Sequence, residues 1–345
     1  MNGDQGPIIL AAGDSGPRQT LRPLQDAFKV IINEDQDSSW ASEQHWHAHI
    51  ATHRPQGLIC GTSDSPEGKA IEFSARRAAA AAGLPIAAIE DFAGNYRDLP
   101  GSPTRLLLLE SGTVVDRTRK KLGASCPPVL ALSPARYDAL RKQSALRRPE
   151  IRRQWSSRER ISVLWAGQPE TADCLKTLEN LLPYLVSHRL QLLFKAHPRD
   201  AGYLRGAYRD ILGLQELSPL DLTAESVEET LMRAPRLVVT QFSSVAIDAG
   251  FYGIPSLNVL LPGAGGDRLI EKKGWAAPPH CLEGAALTVN AADFLPEQLK
   301  VILNDKVARD QIIRCFDAYF STALPTTPAL VEIIENLFAK REISP

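Results

Sequence analysis

Short apolar, β-branched runs alternate with longer stretches of helical period along this chain. In the first half the runs are Pro7–Ala12, Lys29–Ile32, Gln56–Thr62, Ile86–Ile89, Arg105–Leu109 and Val129–Leu132. Segments of helical pattern stand between most of them, notably Ser39–Thr52, Lys69–Ala82 and Ser111–Leu122. The second half repeats the scheme with strands expected at Ile161–Ala166, Leu190–Phe194, Arg236–Thr240 and Ser256–Leu261. Helices are expected there at Glu170–His188, Thr223–Arg233, Leu295–Leu303, Val307–Leu324 and Pro328–Lys340. Continuous apolar strands alternating with helices predict parallel sheets buried on both faces. The length of 345 residues suits two such domains. The reading is α/β, with two Rossmann-like doubly wound domains at 1–140 and 161–345. Residues 141–160, rich in arginine and containing Pro149, read as a linker or an exposed helix between them.

In open parallel sheets, ligands sit beyond the carboxyl ends of the strands. Two stretches of the second half carry chemistry there. After Phe194 come Lys195, Ala196, His197, Pro198 and Arg199, three potential cations on a turn that Pro198 stiffens. After Thr240 come Gln241, Phe242, Ser243 and Ser244, opening a helix. A helix start offers unpaired N–H groups and a partial positive charge, and the serines add hydroxyls, so a phosphate or diphosphate is the expected guest. Asp248 lies one turn on, leaning back toward the helix start, within reach of a ribose. The plainer alternatives are serines that merely cap a helix and a solvated basic turn.

A strand ending in His197-Pro198, then a strand with Ser243-Ser244, a helix carrying Asp248 and Gly253-Ile254-Pro255 resembles the donor half of GT-B-type transferases. The likeness is to CDP-glycerol glycerophosphotransferases and to capsule and sialic-acid transferases with His-Pro and Ser-Ser motifs. It covers Leu190–Leu261. The resemblance implies two domains facing a cleft, with the histidine and serines holding the phosphates of a CDP-, CMP- or UDP-linked donor. It implies that Gly167 and Gln168, the first loop of the second domain, approach the donor, and that the last helix packs back on the first domain. It also implies glycosyl or polyol-phosphate transfer to a hydroxyl acceptor in surface polysaccharide or glycoconjugate synthesis. Ser133 stands where that family's closing strand of the first domain commonly has glycine.

The first strand leads into Gly13-Asp14-Ser15-Gly16, which lacks the Gly-x-Gly-x-x-Gly spacing of dinucleotide sites. Its order and host also exclude a chymotrypsin-like nucleophile. This loop reads as a phosphate or acceptor contact with Asp14 as general base, or as a turn whose aspartate bonds its own backbone. Asp91, after the fourth strand, is the other candidate base; a loop salt bridge to Arg97 is its alternative. Arg268, in a glycine-rich loop expected to be flexible enough to close on a ligand, can reach a phosphate or lie at a mobile surface. His45, His49 and His53 share a helix face but lack the glutamate of a zinc-protease motif, so a polar surface helix is expected.

Composition narrows the classes. Formal net charge is −1, which gives no footprint for nucleic acid. Five scattered cysteines without Cys-x-x-Cys fit a reducing compartment. No signal-peptide profile and no run of membrane-spanning length occurs, so a cytoplasmic protein is expected, with peripheral membrane contact through the arginine-rich stretch as an option. No cofactor or metal is expected, protein cations taking the place of Mg²⁺. The remaining readings are a nucleotide-sugar hydrolase or hydrolysing 2-epimerase on the same fold, and a non-catalytic binding or scaffold protein. Oligomeric state is left open.

Overall fold

The computed structural model describes residues 6–33, 38–320 and 326–339. Six strands form the first sheet: β1 (Ile8–Ala11), β2 (Val30–Ile32), β3 (Leu58–Cys60), β4 (Ile86–Ile89), β5 (Leu106–Leu109) and β6 (Val129–Ala131). Six more form the second: β7 (Ser162–Ala166), β8 (Gln191–Lys195), β9 (Leu220–Asp221), β10 (Leu237–Thr240), β11 (Ser256–Val259) and β12 (Leu287–Val289). The sheet orders are β2-β1-β3-β4-β5-β6 and β12-β11-β10-β7-β8-β9, with every neighbour parallel. This is the expected pair of doubly wound α/β domains. Strands β1, β3, β4, β7, β10 and β11 are buried along their whole length, which explains their unbroken apolar runs.

The chain divides into two compact units. One takes the sequence up to Ala139 together with the helix Thr326–Ala339; the other begins at Leu140 and runs through the helix Lys306–Tyr319. The first core joins Ile8, Leu10, Ile59, Ala87 and Leu108 to Leu330, Ile334 and Phe338 of the last helix. Gly57 is required there: a Cβ would stand 2.5 Å from the Phe338 ring. Asp138 fastens the start of that helix, accepting from the backbone N–H of Thr326 and Thr327 and from the Thr327 hydroxyl. The expected ends of the last two helices, 321–324 and Lys340, lie outside the described residues.

Of the two readings of 141–160, linker or exposed helix, the helix is found, Tyr137–Ser157 with Pro149 inside it, but one side of it is buried. Its apolar side chains explain this. Ile151 is fully buried, and Leu140 and Trp155 pack against the same cluster as Leu164, Val238 and Tyr252. The glycine-rich loop at 262–268 is likewise shorter than expected, because a helix runs from Gly265 to Lys273. β9 and β12 were not foreseen; each is at most three residues long. No helix among the described residues is long and apolar enough to cross a membrane.

Replacing Phe338 by Ala removes a buried ring from the first core and is expected to cost about 3–5 kcal/mol. Amide exchange at Ile8–Ala11 and Leu58–Cys60 should then speed up while that at Ser162–Ala166 stays unchanged. Equal acceleration in both sheets would refute the assignment of the last helix to the first core.

Candidate functional site

Read from β9, the second sheet runs β9-β8-β7-β10-β11-β12, so successive connections change direction between β7 and β10. Such a reversal leaves a crevice beyond the carboxyl ends of the two strands concerned. Ala166, the last residue of β7, is paired with Lys195 on one side and Thr240 on the other. The loops at 167–170, 196–200 and 241–244 therefore leave the sheet side by side. Two contacts tie their bases together: Thr240 Oγ1 donates to the Ala166 carbonyl at 2.7 Å, and Gly167 N–H to the Lys195 carbonyl at 2.9 Å.

His197 is half-buried in this edge. The Arg199 N–H donates to its Nδ1 at 3.0 Å, so the ring proton resides on Nε2. Burial, and then the Arg199 charge, push its pKa below the ordinary value, and the imidazole is neutral at neutral pH. It thus offers one N–H donor and no positive charge. Asp200 holds the turn. Its N–H donates to the His197 carbonyl, and its buried carboxylate accepts from Thr171 Oγ1, from Gly202 and Tyr203 N–H, and from Tyr208 Oη at 2.6 Å.

Across β7, Ser243 accepts from Val245 N–H through Oγ at 3.4 Å and donates its own N–H to Thr240 Oγ1 at 3.4 Å. Ser244 is exposed at the N-cap of the helix Val245–Phe251, without a side-chain capping bond. Asp248 is half-buried in that helix's first turn. Gly167 is closely packed: a Cβ would lie 3.4 Å from Trp165 Nε1 and 3.6 Å from the His197 nitrogen. Gln168 is buried, with its N–H on Cys174 Sγ.

Three expected ligand contacts are otherwise engaged. Lys195 is buried and its Nζ donates to the carbonyls of Leu222 and Glu225, so it closes a turn of its own unit. Arg268 lies on the helix Gly265–Lys273, where it pairs with Asp173 at 2.7 Å and Glu170 at 3.5 Å. The Gln241 side chain turns inward and donates to Thr177 Oγ1 at 2.9 Å, filling space that a Cβ on Gly265 would need.

The first sheet changes direction between β1 and β3, and the second candidate cluster lies at those strand ends. Asp14 is a clamp there. Its carboxylate accepts from the N–H groups of Asp64 and Ser65 at 2.8 and 2.9 Å and from the Ser65 hydroxyl. Three donors on two oxygens argue against the expected role of free base. Gly13 serves packing, since a Cβ would meet Gly68 Cα at 2.0 Å. Ser15 is exposed, and a Cβ on Gly16 would touch Asp91 Oδ2 at 2.6 Å. Asp91 is half-buried at the edge and accepts from Thr62 Oγ1 and Asn95 Nδ2 at 2.8 and 3.1 Å.

Two more acids lie beside it: Glu72, missed in the sequence, and Glu90, the neighbour over which Asp91 was preferred. Glu72, on the helix Pro66–Ala81, is buried and accepts from Ser63 Oγ and N–H at 2.6 and 2.8 Å and from Gly13 N–H at 3.3 Å. Burial pushes its carboxyl up to about 7 against those hydrogen bonds. Glu90 accepts from Gly94 and Tyr96 N–H through Oε1, while Oε2 is buried without a partner. Burial foremost, with Asp91 and Glu110 adding, pushes it up to about 8, so it is a neutral acid at neutral pH. The signal for Glu72 was its place on the same helix stripe as Ile71, Ala75 and Ala79.

No family model matches the chain, and no curated protein matches it. Solved structures do. The S. aureus MnaA–UDP co-structure covers 98% of this chain and 98% of its own, with a TM-score of 0.66 at 14% identity. MurG of Acinetobacter baumannii covers 95% and 99%, with a TM-score of 0.57 at 12% identity. The wall teichoic acid polymerase TagF with CDPG covers 96% and 88%, with a TM-score of 0.53 at 13% identity. The chain has the two-domain GT-B fold. At these identities the likeness is one of fold.

Glu90 and Glu72 give the first unit a pH signature. Their ordinary value is 4.5. A carboxyl raised on folding stabilises fully below its unfolded pKa and loses that contribution as pH climbs through the folded value. Stability of the first unit should therefore fall from about pH 5 to about pH 9. Glu90→Gln, which keeps the neutral acid's shape, should flatten the slope in amide exchange of β4; an unchanged slope would refute the buried acid.

Proposed function

We propose that this chain is an enzyme using a nucleotide-activated donor, and that it moves a glycosyl or polyol-phosphate group to a hydroxyl acceptor in surface polysaccharide or glycoconjugate synthesis. The observation that carries the reading is the register at Ala166, flanked by Lys195 and Thr240 where the strand order reverses. The His197 and Ser243 loops start two strand spacings apart, about 10 Å at the sheet. In this reading the second unit binds the donor. His197 Nε2–H, the Ser243 and Ser244 hydroxyls and the amides of the helix start hold its phosphates, with Gly167 and Gln168 beneath and Asp248 toward the ribose. A CDP-, CMP- or UDP-linked donor fits equally. Lys195 and Arg268 are engaged elsewhere, so neutral donors take over the roles assigned to those two cations.

The first unit serves the acceptor. Asp91, an acceptor of two hydrogen bonds at the strand edge, takes the proton of the attacking hydroxyl. Asp14 fixes the neighbouring loop. A second reading, a hydrolysing 2-epimerase or nucleotide-sugar hydrolase, is supported by Glu90. A neutral carboxylic acid next to a carboxylate is the pairing that acid–base chemistry on a sugar uses.

Titration calorimetry with UDP, CDP and CMP tests the donor site. Loss of hydrogen bonds to a charged group should weaken binding about 10–100-fold in His197→Ala and in the Ser243→Ala/Ser244→Ala double variant. Affinity equal to the parent's would refute the assignment. Release of free UDP from UDP-GlcNAc without an acceptor would favour the second reading, and nucleotide binding without any turnover a non-catalytic protein.

A further inference from the structure

A histidine pair lies on the helix Glu43–His53 of the first unit, outside both strand-edge clusters. His45 and His49 are one turn apart and half-buried, and their Nε2 atoms stand 3.2 Å from each other. An indole frames them. Trp40, in the preceding turn Ser38–Ala41, meets His45 edge-on at 4.5 Å between centroids and stacks on His49 at 4.9 Å. His53 stacks on His49 at 5.8 Å. The frame is itself anchored: buried Trp46 donates its Nε1–H to the Trp40 carbonyl at 2.7 Å, and Ser74 Oγ donates to the Ala41 carbonyl at 2.6 Å.

Two ring nitrogens this close either share one N–H, donated by one ring to the lone pair of the other, or turn both lone pairs to a metal ion. Nitrogens bound to tetrahedral zinc at about 2.0–2.1 Å lie about 3.3 Å apart, close to the separation seen here. We propose that His45 and His49 form a two-histidine chelate for a divalent cation of the zinc type. Among the described residues no group of three or more His, Cys, Asp or Glu joins to hold a metal. The chelate is therefore an open one, with water completing the coordination. Imidazole ligands select Zn²⁺, Cu²⁺ or Ni²⁺ over Mg²⁺ or Ca²⁺. Stacking on Trp40 and His53 sets the orientation of the His49 ring.

Zn²⁺ titrated calorimetrically into tag-free, chelator-treated full-length protein tests the site. The expected result is one saturable ion per chain, with affinity about 10-fold or more weaker in His45→Gln and in His49→Gln. His47→Gln, an exposed position on the same helix, should bind as the parent does. Circular dichroism of each variant without metal separates lost ligation from lost helix, and the two histidine variants check one another. No saturable binding by the parent, or identical isotherms in all four proteins, would overturn the chelate.

Discussion

Parallel pairing is the constraint on which the rest depends. Every strand contact in both sheets is parallel, so each strand delivers its following loop to one edge. In the second unit the ladder continues one step past the strands, through Gly167 N–H on the Lys195 carbonyl and Thr240 Oγ1 on the Ala166 carbonyl. Those bonds fix where three loops begin before any side chain is considered. His197 follows two residues after the end of β8 and Ser243 three after the end of β10, too few for either loop to wander from the β7 end. Asp200 then converts a short loop into a set one, because its buried carboxylate gathers donors from both sides of the turn.

Burial, more than the number of charged residues, decides what each edge can offer. The run Lys195-Ala196-His197-Pro198-Arg199 has three potential cations. Desolvation depresses the Lys195 pKa, and backbone carbonyls occupy its ammonium. His197 is neutral for a related reason. Besides the exposed Arg199, this edge offers directional donors, which in the proposed reading would orient a phosphate by geometry. The first unit applies the same physics with the opposite sign, raising Glu72 to about 7 and Glu90 to about 8.

Sequence patterning reached the strands well because both faces of these sheets are buried; Ile86–Ile89 matches to the residue. The same double burial hides side-chain direction. Nothing in the order of Phe194, Lys195 and Ala196 tells which face is solvated, and Lys195 and Gln241 were assigned outward while they point in. The helix Tyr137–Ser157 was obscured by its arginines and Pro149, although Leu140, Ser144, Ile151 and Trp155 recur at helical spacing. Glycines misled at 265 and 266. They read as a flexible loop but are small because the Gln241 side chain and the Leu260 carbonyl press against them inside a folded segment. Glu72 was passed over as one charge on a polar helix, since partners such as Ser63 and Gly13 are distant in the chain.

Glu90 and Asp91 are adjacent in sequence and coupled in charge. The negative charge of Asp91 is one of the causes that hold the Glu90 proton in place. If Asp91 accepts a proton from an acceptor hydroxyl, that repulsion vanishes, and Glu90 then holds its own proton less firmly. Proton gain at one carboxyl thus assists proton loss at the other, and the two titrate as a pair. In the proposed reading, a base at Asp91 that takes a proton from the nucleophile would loosen the proton on the acid beside it. Burial keeps the Glu90 proton in place at neutral pH, while Asp91, half-buried at the strand edge, is the one of the two that the proposed acceptor hydroxyl would meet.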